Sequence, residues 1–173
     1  MSDTIAAIAT PTGEGGISII RFSGGDSLSV ALKLFCTPSG NSVENLSPHK
    51  AHFGSIYDPT TRKCVDEVVL TWFKIPKSYT GEDVIEIGAH GGIFVSSRIL
   101  GLALDHGARL AEPGEFTRRA FMSGRIDLSQ AEAVADLISA SSDRALQASV
   151  MQLKGRLSKK ITELYDRLLF VLS

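Results

Sequence analysis

One stretch, Glu112–Ile138, constrains the fold more than any other. It reads EPGEFTRRAFMSGRIDLSQAEAVADLI. Pro113-Gly114 is a turn signal, and a short amphipathic segment, Glu115–Met122, follows it. Ser123-Gly124 then interrupts the pattern. Asp127 and Gln130 stand three residues apart, just before a long run of good helix formers. An aspartate at such a start can accept from the orphan N–H groups, and a glutamine three residues on can reach back, as in a capping box. The segment therefore reads as a hinge. Mixed strand and helix patterns precede it, and nearly uninterrupted helix pattern follows it. The expected division is a first domain over residues 1–118 and the start of a helical domain over residues 119–173.

Before the hinge, Thr4–Thr10 and Ile17–Phe22 are apolar, β-rich runs separated by Pro11-Thr12-Gly13-Glu14-Gly15-Gly16. A glycine loop after a strand invites a phosphate-loop reading. No Lys-Ser or Lys-Thr follows the glycines, however, and the next element has the pattern of a strand rather than a helix. The loop is expected to be a plain strand connection. Arg21 lies inside the second run. It is expected to snorkel from a sheet face, to anchor an anion, or to face water from an edge strand. Ser23-Gly24-Gly25-Asp26 reads as a turn and cap, and Leu28, Ala31, Leu32 and Phe35 follow at helical spacing. Thr37–Lys50 reads as a loop. Ala51–Tyr57 and Val65–Phe73 form an expected strand pair, with Trp72 and Phe73 as core residues.

Pro76–Asp83 reads as an exposed polar loop. In the strand that follows, alternation puts Glu86 on the face of Val84, where a carboxylate needs a partner. His90-Gly91-Gly92 precedes an apolar helix, Ile93–Leu104, with Gly107 suited to a left-handed C-cap. His90 could serve as a metal ligand, a base or a structural donor. No second ligand stands at metal spacing, which favours the donor role. Ala108–Ala111 is a short expected strand.

After the hinge, Leu146, Val150, Leu153, Leu157, Ile161, Leu164 and Leu168 form one apolar stripe, which needs another helix to cover it. The pattern ends without a stop signal, so the polypeptide is expected to continue. Arg144, Lys154, Arg156, Lys159, Lys160 and Arg167 outnumber Glu163 and Asp166 here. They read as the solvated side of the helix, with a nucleic-acid- or partner-facing stripe as the alternative. The net charge of −1 gives no global footprint for nucleic acid. Two cysteines without a C-x-x-C companion fit neither a zinc site nor a disulfide framework, and no run is long enough to span a bilayer. A cytoplasmic location is the expectation, with no membrane association.

Taken together, the opening GEGGISIIRFSG, Thr80-Gly81-Glu82-Asp83, His90-Gly91-Gly92, Pro113-Gly114-Glu115-Phe116-Thr117, Arg119-Ala120-Phe121 and Asp127-Leu128-x-Gln130-Ala131-Glu132-Ala133 resemble the tRNA-modification GTPase MnmE (TrmE) family along the whole chain. The resemblance implies an α+β fold class. A mixed-sheet N-terminal domain, similar to the tetrahydrofolate-binding domain of aminomethyltransferases, would be followed by the first helices of an α-helical domain. It implies a homodimer through the first domain and a bound tetrahydrofolate derivative, 5-formyltetrahydrofolate. In the family a Ras-like G domain is inserted in the helical part. With the FAD-dependent partner MnmG, the family adds an aminomethyl-type group to C5 of the wobble uridine of tRNA, driven by GTP hydrolysis with Mg2+ and K+. This chain has no G-x-x-x-x-G-K-[ST] sequence and lacks the family's C-terminal cysteine motif. GTP, Mg2+ and K+ therefore belong to the full-length family protein, and no catalytic or metal residue is expected here.

The resemblance carries three folate-binding positions onto this chain: Arg21, Glu86 and Arg125. At Arg125 the family often has lysine, so a planar fork replaces a point charge. In this reading Glu86 accepts the adjacent N3–H and 2-amino group of the pterin, while the arginines meet folate's carbonyl and carboxylate oxygens. The alternative is a stand-alone folate-dependent one-carbon transferase of the aminomethyltransferase type, for which His90 is the one evident acid–base group.

Overall fold

The computed structural model describes residues 3–11, 13–38, 43 and 46–172. The chain divides into two compact units, Met1–Phe116 and Thr117–Ser173. The first unit holds a seven-stranded sheet. Its strands are β1 (Ile5–Ile8), β2 (Ile17–Ser23), β3 (Phe35–Cys36), β4 (Ala51–Tyr57), β5 (Cys64–Phe73), β6 (Val84–His90) and β7 (Arg109–Leu110). Helix α1 (Ser27–Leu34) follows β2, and α2 (Ile93–Asp105) follows β6. The strand order is β3-β4-β5-β6-β2-β1-β7. Only β1 and β7 pair in parallel, so the sheet is mixed and the class is α+β.

Alternation along the strands decides which face is the core. Ile20 and Phe22 of β2, Leu70 and Trp72 of β5, and Ile85, Ile87 and Ala89 of β6 point one way. They meet Val30, Ala31 and Leu34 of α1 and Ile99, Leu102 and Ala103 of α2. Each large aliphatic or aromatic side chain removed from water there contributes ~1.5–3 kcal/mol.

Several sequence expectations change at this level. Asp26 makes no side-chain cap on α1; its N–H donates instead to Thr4 Oγ1 at 3.1 Å. The buried stripe of α1 runs through Val30, Ala31 and Leu34, while Phe35 already begins β3. Of the loop expected over Thr37–Lys50, positions 39–42, 44 and 45 lie outside the described residues, as does Thr12 of the first glycine loop. The Pro76–Asp83 segment is not simply exposed, because Ser78 and Thr80 are buried. Ser23 Oγ donates to Glu82 Oε2 at 2.8 Å, which leaves Thr80 Oγ1 as its donor at 2.7 Å. Asp83 Oδ1 accepts from Trp72 Nε1 at 3.1 Å and from the Ile75 N–H at 3.0 Å. Buried polar groups persist where they are paired in this way, and a sequence reads their polarity without showing their partners.

Helix α3 (Glu115–Met122) bridges the unit boundary. Gly124, at φ 73°, turns the chain after it. The second unit continues with α4 (Leu128–Ser139), α5 (Asp143–Leu153) and α6 (Arg156–Leu172). The expected capping box is present: Asp127 Oδ1 accepts from the Gln130 N–H at 2.8 Å, and Gln130 Oε1 accepts from the Asp127 N–H at 3.0 Å. The same pair reaches further. Gln130 Nε2 donates to the Leu153 carbonyl at 2.7 Å, satisfying an orphan acceptor at the end of α5. Ser158 Oγ on α6 donates to Asp127 Oδ2 at 2.6 Å.

The helical run expected to be nearly continuous is broken twice. Ser142 caps α5 by accepting from the Ala145 N–H at 3.2 Å, and Gly155, at φ 74°, separates α5 from α6. The apolar stripe is thus shared between two helices, and Leu146, Leu157, Ile161, Leu164 and Leu168 are exposed along it. The basic residues 144, 154, 156, 159, 160 and 167 are exposed too.

Candidate functional site: an ion pair on the uncovered side of the sheet

The sheet face opposite α1 and α2 is covered at one end and open at the other. Strand β6 shows the gradient: Val84 is buried, Glu86 is half-buried, and His90 is exposed, all on one side by alternation. Glu86 lies where cover gives way to solvent. Its cross-strand neighbours are Thr71 on β5 and Arg21 on β2. Arg21 is therefore on an inner strand, and the edge-strand reading does not hold.

The register puts Arg21 directly opposite Glu86. Arg21 Nε donates to Glu86 Oε1 at 2.8 Å, and Nη2 approaches the same oxygen at 2.7 Å. The two side chains are 27% and 26% exposed. Both contacts fall on Oε1, and among the described residues none donates to Glu86 Oε2. An ion pair this exposed adds on the order of 0–1 kcal/mol to stability. Its geometry is the more informative feature: a held carboxylate with one oxygen turned to other use.

Two aromatic rings lie against the Arg21 guanidinium, Tyr79 at 5.5 Å and Phe116 at 5.6 Å from its carbon to the ring centroids. Both rings lie in or beside motifs visible in the sequence, but no local pattern ties either ring to Arg21. Arg125, the third expected position, belongs to the second unit. It follows Gly124 after α3, and its N–H donates to the Ala120 carbonyl at 2.9 Å.

His90 is engaged as a structural donor. Its Nδ1 lies 2.7 Å from Asp66 Oδ1, and its N–H donates to Asp66 Oδ2 at 2.8 Å. The hydrogen bond that the imidazole donates to Asp66, reinforced by that carboxylate's charge, raises its pKa above the ordinary value. No cluster of metal-binding side chains occurs among the described residues. Two hollows flank the open end of this face. One lies between the glycine loops, beside Gly15, Gly91 and Ser96. The other is lined by Ile17, Phe53, Val69, Gly88 and His90. Neither includes Arg21 or Glu86. Among the described residues, no helix is long and apolar enough to cross a membrane.

Fold and site define a two-part α+β protein: a mixed-sheet module with a polar pair at the edge of its open face, then a helical unit. The model described as GTP-binding protein TrmE N-terminus matches residues 4–125, and the chain belongs to that family. The MnmE helical domain model matches residues 128–173. Similar curated proteins carry the name tRNA modification GTPase MnmE. That of Geobacillus thermodenitrificans (strain NG80-2) is 52% identical over 171 residues, 99% of this chain and 37% of the relative. Those of Moorella thermoacetica and Levilactobacillus brevis are 51% and 54% identical, over 100% and 99% of this chain and 37% and 36% of the relatives. The chain thus spans little more than a third of the length of the curated relatives it matches.

Proposed function

We propose that this chain is the folate-binding, dimer-forming part of a tRNA-modification GTPase. The observation that carries the reading is the Arg21–Glu86 pair, with Oε1 of Glu86 engaged and Oε2 left as an acceptor. A reduced pterin offers two adjacent N–H donors, which suit a carboxylate held in place by a neighbouring cation. Glu86 would hold the pterin edge, and Arg21 would fix Glu86 and offer its remaining N–H groups; Arg125 is the third position that the family resemblance implies. The bound folate supplies a one-carbon unit. In the full-length protein this function would join GTP hydrolysis with Mg2+ and K+, the FAD-dependent partner MnmG, and tRNA modified at C5 of its wobble uridine. The cytoplasm is the compartment where those substrates meet.

The test is calorimetry with 5-formyltetrahydrofolate. Glu86→Gln should weaken binding by at least ~2 kcal/mol, the order for breaking a charge-assisted pair. Unchanged affinity with an unchanged melting temperature would remove Glu86 from the site.

The dimer reading is supported by the exposed apolar residues Ile17, Phe53 and Val69, which lie together on the open sheet face. Such a grouping favours burial against another surface. Sedimentation should give twice the monomer mass, and Phe53→Asp should reduce it. A monomer at all concentrations in the unsubstituted chain would end this reading.

A further inference from the structure

We infer that Tyr79 and Phe116 are positioning residues, which hold the Arg21 guanidinium against Glu86 so that the carboxylate keeps one oxygen for a ligand. The inference rests on the folate reading for the ligand's identity, but the clamp itself is a property of this chain.

A guanidinium within about 6 Å of an aromatic centroid is attracted by the negative face of the ring. Arg21 has two such neighbours, from two separate segments. Each segment is anchored independently. Tyr79 sits between Ser78, whose Oγ donates to the Glu82 carbonyl, and Thr80, whose hydroxyl is tied to Ser23. Ser23 is two residues beyond Arg21 on β2. Phe116 follows Glu115, a carboxylate 2% exposed. Glu115 accepts from Arg109 Nη1 and Nη2 at 2.9 and 2.7 Å and from the Glu112 N–H at 2.8 Å. The two motifs Thr80-Gly81-Glu82-Asp83 and Pro113-Gly114-Glu115-Phe116 thereby acquire a common purpose. Each fixes a ring beside the same arginine.

The consequence concerns orientation. An unclamped arginine with long, rotatable bonds could meet either oxygen of Glu86, or both. With both rings against it, the guanidinium contacts a single oxygen of the carboxylate, Oε1. Loss of a ring should therefore free the guanidinium to swing, and Oε2 would no longer be reserved.

The test uses the full chain with 15N-labelled arginine. In the unsubstituted protein, the Arg21 Nε–H resonance should be resolved and slow to exchange, because it is hydrogen-bonded to Glu86. Phe116→Leu should broaden or lose that signal and weaken 5-formyltetrahydrofolate binding by about 3- to 30-fold, the range of one cation–π contact. Phe116→Tyr keeps an aromatic face and should restore both readouts to within about twofold. Tyr79→Leu and Tyr79→Phe form the matching pair. Melting temperatures near that of the parent identify the variants that report on the clamp rather than on folding. A Phe116→Leu protein with an unaltered Arg21 signal would overturn the inference. A parent chain that shows the protected Arg21 signal, lost in Phe116→Leu, yet binds no folate would sustain the clamp and reject the ligand.

Discussion

Replacing Gly91 with alanine is expected to destabilise the first unit by about 3 kcal/mol or more. The cause is space. A Cβ on Gly91 would stand 2.0 Å from the Gly15 carbonyl oxygen, 2.4 Å from its carbon and 2.9 Å from the Ile17 nitrogen. These are backbone atoms, so no side-chain tip can yield. The Gly91 N–H also donates to the Gly16 carbonyl at 3.2 Å, and that bond would be lost if the loop withdrew. Ile17 begins β2, the strand that carries Arg21, so a shift there would reach the ion pair. Urea unfolding of the variant measures the effect as a fall in midpoint. Gly101→Ala is the control. Its added Cβ meets nothing within 4 Å inside α2, and it should stabilise by ~0.5–1 kcal/mol through helix propensity. If Gly91→Ala proved as stable as the parent, the close approach of the two glycine loops would be wrong.

A second large effect is expected where α3 begins. Glu115→Ala should cost at least about 2 kcal/mol, because it removes several charge-assisted hydrogen bonds at once. These come from Arg109 and from the Glu112 N–H. Arg109→Ala should cost still more. It leaves the Glu115 carboxylate buried without its cation, and an orphaned buried charge is worse than an absent one. Arg109 also bonds Asp3, so the N-terminal segment should loosen in the same variant. Denaturant midpoints of the two single variants decide the order. A smaller loss for Arg109→Ala than for Glu115→Ala would show that Glu115 does not depend on this guanidinium.

The Glu115 cluster and the Gly91 contact show where reading a sequence stops. Glu115 was legible only as the start of an amphipathic segment, and Gly91 only as part of a His-Gly-Gly turn. Their partners, Arg109 and Gly15, lie in other segments, and no local pattern names them. Ser78 and Thr80 make the same point from the opposite side. Their polarity placed them in an exposed loop, whereas Ser23, two residues beyond Arg21, gives Thr80 a buried partner. The helical breaks at Ser142 and Gly155 are a different case. Ser142 is a cap-type residue and Gly155 a glycine, but the apolar stripe runs on across Gly155 at helical spacing and hides the break.

What depends on a residue and its near neighbours can be read from the chain alone. The Asp127–Gln130 box, the inward alternation of β2 and β6, and the left-handed turn at Gly107 follow from side-chain size, period and hydrogen-bonding reach within a few residues. That Arg21 meets Glu86, 65 positions away, and that Tyr79 and Phe116 lie against the same guanidinium emerges only in the folded sheet. The physical reason is register. The order in which strands pair is fixed by the summed burial of the whole sheet, and a slip of one residue would have sent Glu86 to the opposite face.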